Sequence, residues 1–154
     1  MRAMDSERSA GPLCSGKCPC PCAAAARVAT DVAAGGGCRT DLHIVDVDLG
    51  QPRLPIVFDH EIVGLIRECG AGGDGLEPGV RVGVPWLGHT CGACPCCAMG
   101  AENLCAAPLY TDYTCYGGYA GRLRQVSSGL AASASTTSAS SGVPKLFTMK
   151  ASVV

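Results

Sequence analysis

Aromatic residues are scarce, at 5% of the 154-residue chain, while glycine (21), proline (10) and cysteine (12) are abundant. That balance argues against a helical bundle and for short strands, turns and metal chemistry. Charge of one sign is also missing: 12 Lys and Arg stand against 13 Asp and Glu, a net charge of −1. The chain therefore lacks the basic surface that nucleic-acid or membrane partners require. No apolar run approaches the roughly 20 residues needed to span a bilayer. The N-terminus, MRAMDSERSAGPLC, carries Asp5 and Glu7 and has no apolar stretch of the kind that directs export. These absences imply a cytoplasmic, reducing setting, where dense cysteines read as metal ligands before disulfides.

Composition divides the chain into three. Residues 1–37 form a divergent segment rich in Ala, Gly, Cys and Pro, including CPCPCAAAA from Cys18 to Ala26. Within it, Ala23 to Ala34 predicts a short helix, because alanine has the highest helix propensity. Residues 38–126 read as one globular domain. Residues 127–154 hold the Ser/Ala/Thr-biased string SSGLAASASTTSASSG, too poor in large apolar groups to fold alone, and are expected to be a disordered tail. In the middle region Glu61 to Cys69 has the apolar density of a buried strand, and Val80 to Val84 alternates with period two. Gly117 to Leu123 reads as another strand, and Thr40 to Asp46 as a short helix capped by Thr40 or Asp41. Short strands with long loops imply a mainly β fold, a small partly open barrel with few helices.

The strongest chemical signal is Cys91-Gly-Ala-Cys94-Pro-Cys-Cys97, with Cys105 following. Four thiolates on one short loop suit tetrahedral Zn²⁺, and a Cys₄ set leaves no open position, so its work is structural. Cys96 lies too close to Cys94 for both to bind, and reads as a bystander. Buried free cysteines or a pair of disulfides are the alternatives that spacing alone permits.

A second constellation is weaker. Cys38-Arg-Thr-Asp-Leu-His43 precedes Asp59-His60-Glu61. Cys38 and His60 offer a soft and a borderline ligand, and Asp41 or Glu61 is expected to hold the second imidazole nitrogen of His60.

Together CRTDLHIVD, DHEIVG, VGVPWLGHTCGACPCCAMGAENLC and GGYA resemble the catalytic domain of zinc-dependent alcohol dehydrogenases, of the medium-chain dehydrogenase/reductase superfamily. The likeness runs over about residues 38–120 and implies a GroES-like fold. It implies catalytic zinc ligands at Cys38 and His60, with Glu61 as an adjacent or transient ligand. Structural zinc ligands are implied at Cys91, Cys94, Cys97 and Cys105. Thr40 and His43 resemble a proton relay, Arg39 a contact to the cofactor pyrophosphate, Asp41 the residue orienting the histidine ligand, and Trp86 a wall of the substrate pocket. The implied reaction is oxidation of a small alcohol to an aldehyde or ketone with NAD or NADP, in a family of homo-oligomers.

The chain departs from that pattern in several places. Asp59 replaces the family's glycine before His-Glu, and Gly79-Val80-Arg81-Val82 replaces Gly-Asp-Arg-Val. No cysteine follows Cys115 to act as a third catalytic ligand, leaving Glu61 or water. The family's nucleotide-binding (Rossmann) domain is absent from this stretch, so the chain reads as a fragment impaired on its own. Gly70-Ala-Gly72-Gly-Asp-Gly75 fits a dinucleotide fingerprint, but Leu76-Glu-Pro78-Gly79 follows where a helix must start, which excludes a pyrophosphate site. Both ends have the character of GC-rich sequence translated in a shifted frame. The competing readings are a zinc-binding module without catalysis, in which Cys14, Cys18, Cys20 and Cys22 add metal capacity, and a defective gene product.

Overall fold

The computed structural model describes residues 1–6, 11–17, 26–50, 52–71, 76–127 and 130–132. Ten short strands and two short helices follow one another: β1 (Arg2–Ser6), β2 (Cys14–Lys17), β3 (Arg27–Gly35), α1 (Arg39–Val45), β4 (Ile56–Val57), β5 (Ile62–Cys69), β6 (Arg81–Val84), β7 (Leu87–His89), α2 (Pro95–Ala98), β8 (Leu109–Tyr110), β9 (Arg122–Val126) and β10 (Ala131–Ala132). The mainly β expectation holds.

The central sheet runs β10-β6-β5-β3-β9, all antiparallel. A second sheet has the order β2-β1-β4, and β7 pairs with β8. The Ala3–Ala120 bridge and the Met4 amide, which donates to the Tyr119 carbonyl at 2.7 Å, tie β1 to the chain entering β9. The two larger sheets thus curl into a partly open barrel. Three apolar clusters fill it: Val28, Ile66 and Val82; Ile62, Val84 and Leu123; and Ile44, Ile56 and Phe58 beneath α1.

The segment before residue 38 differs from expectation. Arg27–Gly35 is a strand, not the helix that Ala23 to Ala34 suggested, and it is paired on both sides, with β5 and with β9. Val28, Ala29 and Thr30 are buried there. Two flanking ladders outweigh the few tenths of a kcal/mol per residue by which propensity favours a helix. β1 and β2 likewise place ordered strands within residues 1–37. Cys18, Cys20 and Cys22, and nearly all of the tail, lie outside the described residues.

Two glycines set close approaches. A Cβ on Gly64 would lie 2.5 Å from the Asp31 carbonyl oxygen, so β5 meets the irregular stretch of β3 only with glycine there. A Cβ on Gly117 would collide with the carbonyls of Phe58 and Asp59. Gly117–Tyr119 lies against residues 57–59 through amides donated to Val57, Asp59 and Phe58. Extended pairing therefore begins at Arg122 rather than Gly117, because the glycine stretch serves as a backing for the loop before His60.

Candidate metal centres

The four-cysteine loop folds as one lobe. Pro95 starts α2 directly after Cys94, and a turn of 3₁₀ helix at Glu102–Leu104 delivers Cys105. The ligand atoms of Cys91, Cys94, Cys97 and Cys105 all lie within 4.8 Å of one another. Cys91 and Cys97 are 4.0 Å apart and Cys94 and Cys97 3.5 Å apart, sulfur to sulfur. A tetrahedron with zinc–sulfur bonds of ~2.3 Å spaces its sulfurs about 3.8 Å apart. The fit is close.

Backbone amides face inward. Cys105 Sγ accepts from Cys91 and Ala107, and Cys91 Sγ accepts from Cys94. Amides from Ala106 and Cys97 lower the Cys94 thiol to about 6, and the Cys91 amide is the first cause of a lowered Cys105. Burial and neighbouring thiols push Cys97 up to about 12, the response of the last sulfur to lose its proton in a crowded set. Cys96 stands outside the group, and every described cysteine is a free thiol.

The second constellation forms where α1 meets the loop before β5. Cys38 is the N-cap of α1: its Sγ accepts from the Thr40 amide at 3.2 Å, and Asp41 Oδ2 accepts from the Cys38 amide at 2.7 Å. The cap is therefore Cys38, not Thr40 or Asp41. His60 Nε2 lies 3.2 Å from Cys38 Sγ. Tetrahedral zinc holding one sulfur and one nitrogen would separate them by about 3.6 Å, a few tenths more.

The third member of this group is Asp41, not Glu61. Glu61 is exposed, and its carboxylate rests against Gly36. Asp41 is buried and already committed, because Oδ1 accepts from the Asp59 amide at 3.1 Å while Oδ2 caps Cys38. The imidazole partner also differs from expectation: His60 Nδ1 bonds Asp112 Oδ2 at 2.6 Å, not Asp41 or Glu61. Burial alone would lower His60, but Asp112, Cys38 and Asp41 raise it to about 9. Burial in turn raises Asp112 to about 6 against the opposing pull of His60.

The remaining residues are distributed around this pair. Thr40 and His43 are three apart on α1 and so share a face; His43 Nδ1 is 2.9 Å from Asp48 Oδ2 at the surface. Arg39 is exposed on the first turn. Trp86 packs edge-on against His60 at 5.0 Å and stacks on Tyr110 at 5.0 Å. A cavity of about 290 Å³ opens beside Cys38, walled by Leu13, Leu42, Phe58 and Tyr119 among others; Trp86 does not line it. In the fingerprint string, Gly70 and Ala71 are described and residues 72–75 are not. The chain beyond runs through a turn at Gly79 into β6 with no helix.

The profile of the alcohol dehydrogenase GroES-like domain matches residues 24–143, most of the chain. The chain belongs to that family. It is 44% identical over 90 residues to an alcohol dehydrogenase of Geobacillus stearothermophilus, covering 58% of this chain and 27% of that protein. It is 38% identical over 110 residues to an alcohol dehydrogenase of Rhizobium meliloti (strain 1021), covering 71% and 32%. The chain thus spans about a quarter to a third of these relatives. Among solved structures, the alcohol dehydrogenase of the archaeon Aeropyrum pernix superposes with a TM-score of 0.79 at 29% identity, over 90% of this chain and 41% of that one. A dehydrogenase from Sinorhizobium meliloti 1021, assigned as zinc-binding and solved with NADP, gives 0.77 at 25% identity, over 85% and 37%. The GroES-like fold of the medium-chain zinc-dependent alcohol dehydrogenases is therefore that of this chain.

Proposed function

We propose that this chain is the zinc-binding, alcohol-facing part of an NAD(P)⁺-dependent alcohol dehydrogenase, and that it works with a nucleotide-binding domain. The observation that carries this reading is the convergence of Cys38 Sγ and His60 Nε2 at 3.2 Å beside a cavity, in a domain of that family. Zinc held there would supply Lewis acidity to an alcohol oxygen.

The chain's own residues do the rest. Cys38 and His60 hold the metal from one side. Thr40 sits one turn from His43, and together they carry a proton from the site to the surface, where Asp48 accepts the imidazole. Arg39, exposed at the start of α1, meets a cofactor phosphate. Glu61, close in sequence but outside the cluster, is a transient ligand reached by rotating its side chain over Gly36. Cys91, Cys94, Cys97 and Cys105 bind a second, structural zinc. The substrate is a small alcohol and the product an aldehyde or ketone. The domain itself extends from the early strands through β10.

Elemental analysis of purified, metal-washed protein tests the reading. About two zinc ions per chain, one of them lost in Cys38→Ser, supports it. One zinc that survives Cys38→Ser and disappears in Cys94→Ser would leave a zinc-binding module without a catalytic metal.

A further inference from the structure

We infer that Asp112 is the positioning residue for His60, and that Asp41 positions Cys38 instead. This rests on the metal-site reading above, and deepens it.

Asp112 is buried to 0% exposure, at φ 66°, in the left-handed region that disfavours residues with a Cβ. Its Oδ1 has no hydrogen-bond partner. Each of these costs free energy: a desolvated carboxylate, a strained backbone and an unsatisfied buried acceptor. Glycine at this position would remove all three. What the side chain gains in return is the 2.6 Å contact with His60 Nδ1.

The turn that carries Asp112 is held firmly. Thr111 donates its amide to the Trp86 carbonyl at 2.8 Å and its hydroxyl to the Pro85 carbonyl at 2.9 Å, and accepts from Gln125 Nε2 at 3.1 Å. The amides of Thr114 and Cys115 both return to the Tyr110 carbonyl, at 3.0 and 2.9 Å. A fixed backbone aims the carboxylate at one ring nitrogen and leaves Nε2 facing Cys38. Trp86 packs against the same ring, with centroids 5.0 Å apart and planes at 70°. Asp41 serves elsewhere: its two oxygens accept the Cys38 and Asp59 amides, and the His60 Nδ1 bond goes to Asp112. Two aspartates thus divide the work, one for each ligand.

The test compares Asp112→Gly, Asp112→Asn and Asp41→Asn. Glycine suits the left-handed backbone and deletes the side chain, and asparagine tolerates that backbone while keeping a neutral acceptor. Two readouts are taken on protein labelled with ¹⁵N-histidine: the His60 Nδ1–H signal by ¹H–¹⁵N NMR, and affinity at the Cys38–His60 site by competition with a chromophoric zinc chelator. Loss of such a partner to a ligating histidine weakens metal binding roughly 10- to 100-fold. Asp112→Gly is expected to weaken the second zinc by that factor and to open the Nδ1 proton to solvent exchange. Asp112→Asn restores much of both, and Asp41→Asn leaves the Nδ1 signal in place. The inference is overturned if Asp112→Gly retains the signal and Asp41→Asn abolishes it. Should the wild type take up one zinc only, the metal reading fails, and the Nδ1 signal of the metal-free protein still decides the role of Asp112.

Discussion

Asp59 shows how a single side chain sits at odds with the backbone that carries it. Its φ is 84°, it is fully buried, and its Oδ2, unpaired, is wedged against Gly35 and Gly118. Oδ1 does accept the Glu61 amide at 3.0 Å, so one oxygen is used and the other is a desolvated liability. Burial raises its pKa accordingly. Asp59→Asn removes the charge, keeps the volume and the acceptor, and tolerates the left-handed backbone. It is expected to raise the thermal midpoint of the zinc-loaded protein at neutral pH, because a neutral amide costs less to bury than a carboxylate. An unchanged or lower midpoint would mean that the carboxylate has a stabilising partner at that pH. The four lobe cysteines are legible in sequence from their spacing, whereas Cys38 and His60 are weak signals alone and stand out only through the family resemblance. Asp112 is not legible, because it is a lone aspartate 52 residues from His60, and only folding of the Thr111–Thr114 turn brings the two together.

Elements were legible where pattern and tertiary setting agree. β5 and β6 follow the apolar run and the alternation that announced them, and α1 falls within one residue of its expected span. β3 was hidden by its alanines, since what makes it a strand is β5 on one side and β9 on the other, with Arg122 of β9 lying 91 residues from its partner Asp31. Asp31 links these three strands at the surface. It accepts from Arg122 of β9 at 2.8 Å and from Arg67 of β5 at 3.1 Å. The Arg122 hydrogen bond is the main cause holding its carboxyl below the ordinary 3.8; burial opposes it, and Arg67 adds to the lowering. Because the folded state binds this proton less tightly than the unfolded chain, the pairing stabilises above about pH 4 and is lost as pH falls through the lowered value. The difference in urea midpoint between wild type and Asp31→Asn should therefore be small but measurable at pH 7, shrink in high salt, and close as pH falls through the lowered value. A gap that persists at low pH would assign the effect to local packing rather than to charge. Gly64→Ala tests the same interface sterically: its Cβ would lie 2.5 Å from both the Asp31 carbonyl and Thr30 Cγ2. The expected loss is about 1–3 kcal/mol, read from denaturant midpoints, and a wild-type midpoint would show that β3 can yield.

At the scale of the whole molecule, stability is unevenly spread. The family fold was legible because the order of its motifs over residues 38–120 is as specific as their content, whereas the early strands, built on Ala, Gly and Ser, carry no comparable pattern. The barrel holds its three apolar clusters, but the lobe from Cys91 to Ala107 has almost nothing of the kind. Cys105 is the only lobe hydrophobe in the buried core among the described residues, while Met99 is 76% exposed and Leu104 64%. A four-residue helix and one 3₁₀ turn are far below the length at which helices persist unaided, ~12 residues or more. On the proposed zinc reading, a metal held by the four sulfurs supplies what packing does not, and its binding free energy is local folding free energy. Stripping metal with a strong chelator is expected to raise amide exchange across residues 91–107 by at least an order of magnitude, and to admit protease there. Protection in β3, β5 and β9 should persist. Adding back one equivalent of zinc should restore the lobe, and Cys105→Ser should prevent that recovery. A lobe that stays protected without metal would require packing that its exposed side chains do not supply. Collapse of β3, β5 and β9 along with it would make the structural zinc a determinant of the entire fold.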